Sequence, residues 1–224
     1  MNTDLYKNKD IKKLLLLFTE GLVYQSYLEG SINKDLNINT LDIVFKNAHD
    51  KYLIKGCPIL FIETYLDSIK EEAESLYNKQ KYELAIGLYG IWLEHWINDL
   101  IKTKCIIKKL SLKEAEDIIK NTNNYSKYTW LLSLLDLPPI SKKYLIIINQ
   151  LIEKRNTFIH YKYKGVEEDN LYKCNEEYKS LCLKMPSLIK YLKYYFSKNI
   201  ISLKSIKKIT KQHPYIKQLL IDKN

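Results

Sequence analysis

The stretch ELAIGLYGIWLEHWINDLI, Glu83 to Ile101, decides how this chain folds. Leu84, Ala85, Leu88, Tyr89, Trp92, Leu93, Trp96, Ile97, Leu100 and Ile101 recur at helical spacing, and the face they draw is too wide for a helix with one side in water. Such a helix has to lie inside a bundle. KKYLIIINQLIEKRNTFIHYKY, Lys142 to Tyr163, makes a similar demand, being apolar on nearly all sides through Ile152 and polar only near its end. The two most buried helices are therefore expected near residues 81–104 and 142–163.

Helical periodicity continues outward from these two segments. Thr40 is expected to cap a helix carrying Leu41, Val44, Phe45, Ala48 and Tyr52, stopped by Gly56 and Pro58. Ile62, Leu66, Ile69, Ala73 and Leu76 form the next stripe, with a solvated face opposite. SLKE, Ser111 to Glu114, reads as a capping box opening a helix to about Lys120. NTNN, 121–124, reads as a loop, and YTWLLSLL, 128–135, as a short helix ended by Pro138 and Pro139. Ser141 can cap the second buried helix, and Gly165 is a natural stop for it. An amphipathic segment from about Asn170 to Lys198 follows, with Pro186 expected as a break or as the start of a second helix. The tail from Ser202 reads as basic and weakly amphipathic. With only 6 Gly and 5 Pro in 224 residues, elements are long and turns few. The expected fold is an all-α helical bundle over residues 61–198, with an N-terminal helical extension, 1–60, and a basic C-terminal helical tail, 199–224.

Composition narrows the function. The abundance of Lys, Ile, Asn and Tyr is what an AT-rich coding sequence produces, but a net charge of +10 also requires acids to be outnumbered. An anionic partner follows, nucleic acid ahead of a membrane surface. The four cysteines form no Cys-x-x-Cys pair and lack nearby histidines at zinc-ligand spacing, so they are expected as reduced core residues without a metal site. Leu14 to Phe18 is too short an apolar run for a signal peptide or a membrane span, so a soluble, cytoplasmic protein is expected.

Of the 36 basic residues 35 are lysine, and Arg155 is the sole arginine. It stands five residues before His160, where the second buried helix emerges. This pair suits RNA phosphodiester cleavage. An imidazole can take a proton from the ribose 2′-OH or give one to the leaving 5′-oxygen. A guanidinium can grip two phosphoryl oxygens, where lysine offers a point charge. No metal is needed for that chemistry. Asn156 shares a helical face with His160. Glu94, in the middle of the other buried helix, must be paired if it is buried, and Arg155 is the expected partner; otherwise it belongs to a polar stripe with Asn98. Tyr161, Lys162, Tyr163 and Lys164 interleave aromatics and cations, an arrangement suited to holding RNA. His95 is expected as a packing or surface residue, and His49 and His213 as surface groups. KSIKKITKQ, 204–212, reads as a lysine-rich surface helix.

RNTFIH, Arg155 to His160, resembles the signature of the HEPN superfamily (higher eukaryotes and prokaryotes nucleotide-binding domain), whose nucleases carry Arg, four to six residues, then His. The Glu83–Ile101 helix looks like that family's other core helix, with Glu94 at its buried acidic position; the resemblance spans roughly Phe61 to Phe196. It implies a metal-independent endoribonuclease acting on tRNA or mRNA as a homodimer through the Arg155/His160 face, of the toxin or abortive-infection kind used in anti-phage defence. It implies no cofactor. Arg155 and His160 would be catalytic, with Asn156 and Glu94 orienting them. A cognate antitoxin or regulatory partner is also implied. Adenylylation of a tyrosine two residues past the His is known in the family, but Lys162 stands at that place here. The alternative is a non-catalytic HEPN-type module binding nucleotide, RNA or a partner protein.

Overall fold

A computed structural model describes residues 9–55, 65–159, 168–214 and 216, and among these it is all-α, without a strand. Contacts group the chain into two compact units, residues 63–195 and residues 1–62 together with 196–224. No helix among the described residues is long and apolar enough to cross a membrane.

The larger unit is built on α4, Tyr82–Ile107, which packs against α3, Leu66–Asn78, against α5, Leu112–Asn121, and against α8, Lys142–Ile159. Its burial on nearly every side follows from the width of its apolar face: Ile86, Trp92, Leu93, Ile97, Leu100 and Ile101 are all fully enclosed. Two glycines let α8 come close. A Cβ at Gly87 would lie 3.5 Å from the Phe158 ring, and one at Gly90 only 2.7 Å from Arg155 Cγ. The order reverses along the two helices, so α4 and α8 run antiparallel.

α8 buries less than expected. Ile147, Ile148 and Leu151 are enclosed, but Ile146 is 59% exposed. The second large buried set belongs instead to α9, Glu168–Asn199, with Tyr178, Leu181, Met185, Leu188, Ile189 and Leu192. Helical periodicity reports an apolar surface, not how many neighbours will cover it. Nor does Pro186 break or start a helix: α9 runs through it. Proline removes the hydrogen bond to the Cys182 carbonyl, and the side chains buried on both sides of it offset that loss. Stacked Tyr144 and Tyr191, with ring centroids 4.0 Å apart, and a Lys154–Glu177 ion pair join α8 to α9.

Between α5 and α8 lie two short helices, α6, Asn124–Lys127, and α7, Trp130–Leu134. The expected 121–124 loop is shorter than read, because Asn123 caps α6 through the Ser126 N–H. The SLKE capping box forms as written: Ser111 and Glu114 hydrogen-bond each other's backbone N–H groups. Three helices end on a residue in the left-handed region, Gln80 after α3 (φ 59°), Lys109 after α4 (φ 67°) and Asp136 after α7 (φ 52°). Each end closes with the paired bonds of a Schellman turn, as in Gln80 N–H to Tyr77 O and Lys81 N–H to Leu76 O.

In the smaller unit, α1, Lys9–Leu28, packs with α2, Ile38–Ala48, and with α10, Leu203–Gln212, while a π-helical turn, His49–Ile54, extends α2. The cap of α2 is Asn37 rather than Thr40. Asn37 Oδ1 accepts the Thr40 N–H at 3.2 Å, and Thr40 Oγ1 accepts the Asn37 N–H at 3.0 Å. The tail is strongly rather than weakly two-faced, with Ile206, Ile209 and Thr210 buried opposite exposed Lys204, Lys207, Lys208 and Lys211. His49 is exposed, but His213 is not a surface group. It is 6% exposed, lies edge-on to Phe45, and places Nε2 3.2 Å from Asp42 Oδ1. Cys105 and Cys182 are buried free thiols.

Candidate functional site

The antiparallel crossing of α4 and α8 brings the two sequence candidates together. Arg155 passes over Gly90, the one side-chain-free position in its path, and its Nη2 donates to Glu94 Oε2 at 3.1 Å. Its Nη1 reaches Asn156 Oδ1 at 3.5 Å, the outer limit of a hydrogen bond. The Arg155 side chain is 24% exposed and that of Glu94 42% exposed. An ion pair that open contributes about 0.2–1 kcal/mol to stability. Its effect is mainly positional, since it holds a forked cation in one place. Nε of Arg155 is buried without a partner among the described residues.

Glu94 is not buried as expected, yet it answers to both readings. It pairs with Arg155, and it shares with Asn98, one turn on, the wall of an open cleft of about 650 Å³. Asn123, Tyr125, Lys127 and Asn156 contribute to the same wall. The cleft is thus bounded by α4, the α5–α6 connection, and α8 where it approaches its end. Tyr125 is 60% exposed, an aromatic face open at the rim.

Lys127 is the residue that sequence reasoning missed. It is 5% exposed, and its Nζ donates to Asn98 Oδ1 at 2.9 Å. Burial pulls its ammonium below the usual lysine range, and the negative charge of Glu94 opposes that pull. The neighbouring Tyr128 anchors the segment, its hydroxyl donating to Leu93 O at 2.9 Å; burial raises that phenol well above its ordinary value, and Glu94 adds to the rise. In the sequence Lys127 is one lysine among 35. Only the short polar connection NTNNYSKY marks the place where it turns inward.

Arg155, Asn156 and Glu94 are therefore brought together. His160 follows Ile159, the last described residue of α8, and lies outside the described residues with Tyr161, Lys162, Tyr163, Lys164 and Gly165. His95 is exposed on α4, and its positive form opposes the rise that burial gives the Asp99 carboxyl. Chemically, the described part offers a fixed guanidinium, a buried ammonium and one carboxylate at the edge of a polar cleft. No family model, curated protein or solved structure matches this chain.

Proposed function

We propose that this chain is a metal-independent endoribonuclease of HEPN type, acting on RNA in the cytoplasm as a homodimer through its Arg155/His160 face. The observation that carries the reading is the position of the sole arginine, Arg155, held against Glu94 and beside Asn156, two residues that line an open cleft, and five residues before His160. A lysine-rich chain has its one planar fork where bidentate phosphate recognition would use it.

In this mechanism the ribose 2′-oxygen attacks the adjacent phosphorus as a general base takes its proton. The bond to the 5′-oxygen breaks, and that oxygen leaves with a proton from a general acid. His160 of either copy fills these proton-transfer roles. The products are a 2′,3′-cyclic phosphate and a free 5′-hydroxyl. Arg155 stabilises charge on the non-bridging oxygens, an effect typically of about 10²–10³ in rate for one donor. Glu94 and Asn156 hold its side chain on station, and the Tyr161–Lys164 segment holds the strand. Toxin or anti-phage roles, with a cognate antitoxin or regulatory partner, belong to this reading.

Purified protein incubated with total RNA in EDTA tests it. Discrete fragments ending in cyclic phosphate are expected, absent with Arg155→Ala and with His160→Ala while circular dichroism stays unchanged. Cutting by either variant at the wild-type rate would refute the assignment. RNA binding without cutting by the wild-type protein would instead favour a non-catalytic binding module.

A further inference from the structure

The charges on the cleft wall do not balance. Lys127 is an enclosed cation on the lining, and Glu94, the only carboxylate there among the described residues, is already paired with Arg155. Lys120, also on the lining, adds a further positive charge. Opposite Lys127 stands Asn98, which answers an ammonium with a neutral oxygen where aspartate would neutralise it. A buried lysine normally has a charged partner.

The amides around it share one polarity. Asn98 Oδ1 accepts from Lys127 Nζ at 2.9 Å, Asn123 Oδ1 from the Ser126 N–H at 2.9 Å, and Asn156 Oδ1 from Arg155 Nη1 at 3.5 Å. An ammonium, a backbone N–H and a guanidinium can only donate, so the Asn98 and Asn123 carboxamides are fixed with oxygen toward the protein, and the longer contact orients Asn156 the same way. Their NH2 groups make no hydrogen bond among the described residues and are not among the buried unsatisfied atoms. The cleft thus presents amide donors, the N–H groups of Lys127 not used by Asn98, and an excess of positive charge. Its roughly 650 Å³ lies in the range of small-ligand sites.

We propose that this cleft is a phosphate-binding site, with Lys127 as its cation and the Asn98, Asn123 and Asn156 amides as neutral donors. The phosphate it takes is a group of the RNA strand flanking the linkage that is cut. That source rests on the ribonuclease reading; the site itself does not. A free nucleotide would offer the same chemistry.

Three probes separate these: inorganic phosphate, AMP, and a fully 2′-O-methylated RNA oligonucleotide, which lacks the attacking hydroxyl. At constant ionic strength, phosphate or AMP raises the wild-type Tm by binding the folded state, and the oligonucleotide binds by fluorescence anisotropy. Lys127→Met removes the Tm response, weakens the oligonucleotide at least tenfold at low salt, and lowers the salt slope by about 1. Asn98→Asp supplies the missing anion in nearly the same shape, so this variant melts higher than wild type yet loses the response to every probe. A merely structural Lys127 would not produce that pairing of gained stability and lost binding. Lys127-dependent binding of AMP but not of the oligonucleotide supports the site and assigns it to a free nucleotide. Wild-type affinity for all probes in both variants, or no response of the wild type to any, overturns the proposal. Lys127-dependent binding by a protein that cuts no RNA would defeat the ribonuclease reading and leave this one standing.

Discussion

Two glycines three residues apart on α4 should respond to alanine with opposite signs. In a helix interior, Gly→Ala gains about 0.8–1.0 kcal/mol of helix propensity. At Gly87 that gain is available, since the new Cβ meets only the Phe158 ring, at 3.5 and 3.6 Å. At Gly90 the new Cβ would lie 2.7 Å from Arg155 Cγ and 3.1 Å from its Cβ. Those atoms sit next to the α8 backbone, so relief requires a shift of the helix or a new χ1 rotamer that swings the guanidinium off Glu94. Overpacking of this kind costs about 1–3 kcal/mol, and loss of the half-exposed ion pair about 0.2–1 kcal/mol. Net of propensity, Gly90→Ala should lose about 0.2–3 kcal/mol, lowering Tm by up to about 12 °C. Gly87→Ala should raise Tm by about 2–4 °C. Thermal melts by circular dichroism read both. In an Arg155→Ala background most of the clash is gone, and Gly90→Ala should then stabilise, a coupling that a double-mutant cycle measures. On the ribonuclease proposal, a displacement of Arg155 by about 1 Å could also cost about 10² in cleavage rate. If Gly90→Ala melts at or above Gly87→Ala, the close crossing of Arg155 over α4 is wrong.

Glu94→Gln should cost about 0.2–1 kcal/mol in urea denaturation and should free the Arg155 side chain, visible as faster side-chain dynamics by NMR; an unchanged arginine signal would contradict the pairing. Burial first, opposed by His95 and Lys102, holds the Asp99 carboxyl above its ordinary value. A raised folded pKa means that Asp99 favours folding when protonated and that this contribution is lost as pH rises through the folded pKa. Asp99→Asn should therefore be more stable than wild type at neutral pH and lose that advantage in acid, and a pH-independent difference would count against the assignment. Thr210 is fully buried with its hydroxyl unpartnered among the described residues, so Thr210→Val should raise stability by about 1 kcal/mol in chemical denaturation, whereas a loss would mean that the inner face of α10 is packed differently.

What could be read from the sequence was what depends on near neighbours. The breadth of the α4 face is written in Leu84 to Ile101, and the Ser111–Glu114 capping box closes over three residues. The Glu94–Arg155 pair spans 61 residues, and its partners were foreseeable while the reason for it was not, since Glu94 is 42% exposed and burial does not demand a cation there. Lys127 and His213 were not legible. Each is buried by partners distant in sequence, Asn98 for the first and Asp42, 171 residues away, for the second, and nothing local distinguishes Lys127 from the other lysines. Pro186 misled because its local penalty is real but small against the packing on either side of it. The tail was more legible than the expectation of weak amphipathicity allowed: Ile206, Ile209 and Thr210 recur at helical spacing among lysines, and α1 and α2 pack against this helix.

Three helix ends made without glycine leave room to strengthen the molecule far from its chemistry. A left-handed side-chain residue costs about 1–2 kcal/mol relative to glycine, part of which is offset by the greater freedom glycine gives the unfolded chain. Gln80→Gly and Lys109→Gly should each add about 0.5–1 kcal/mol, and the two sit at opposite ends of α4, too far apart to couple. A chain carrying both would hold its shape under substitutions at Glu94, Lys127 or Arg155. In that hardened background, a dead variant would report on reactivity and not on collapse.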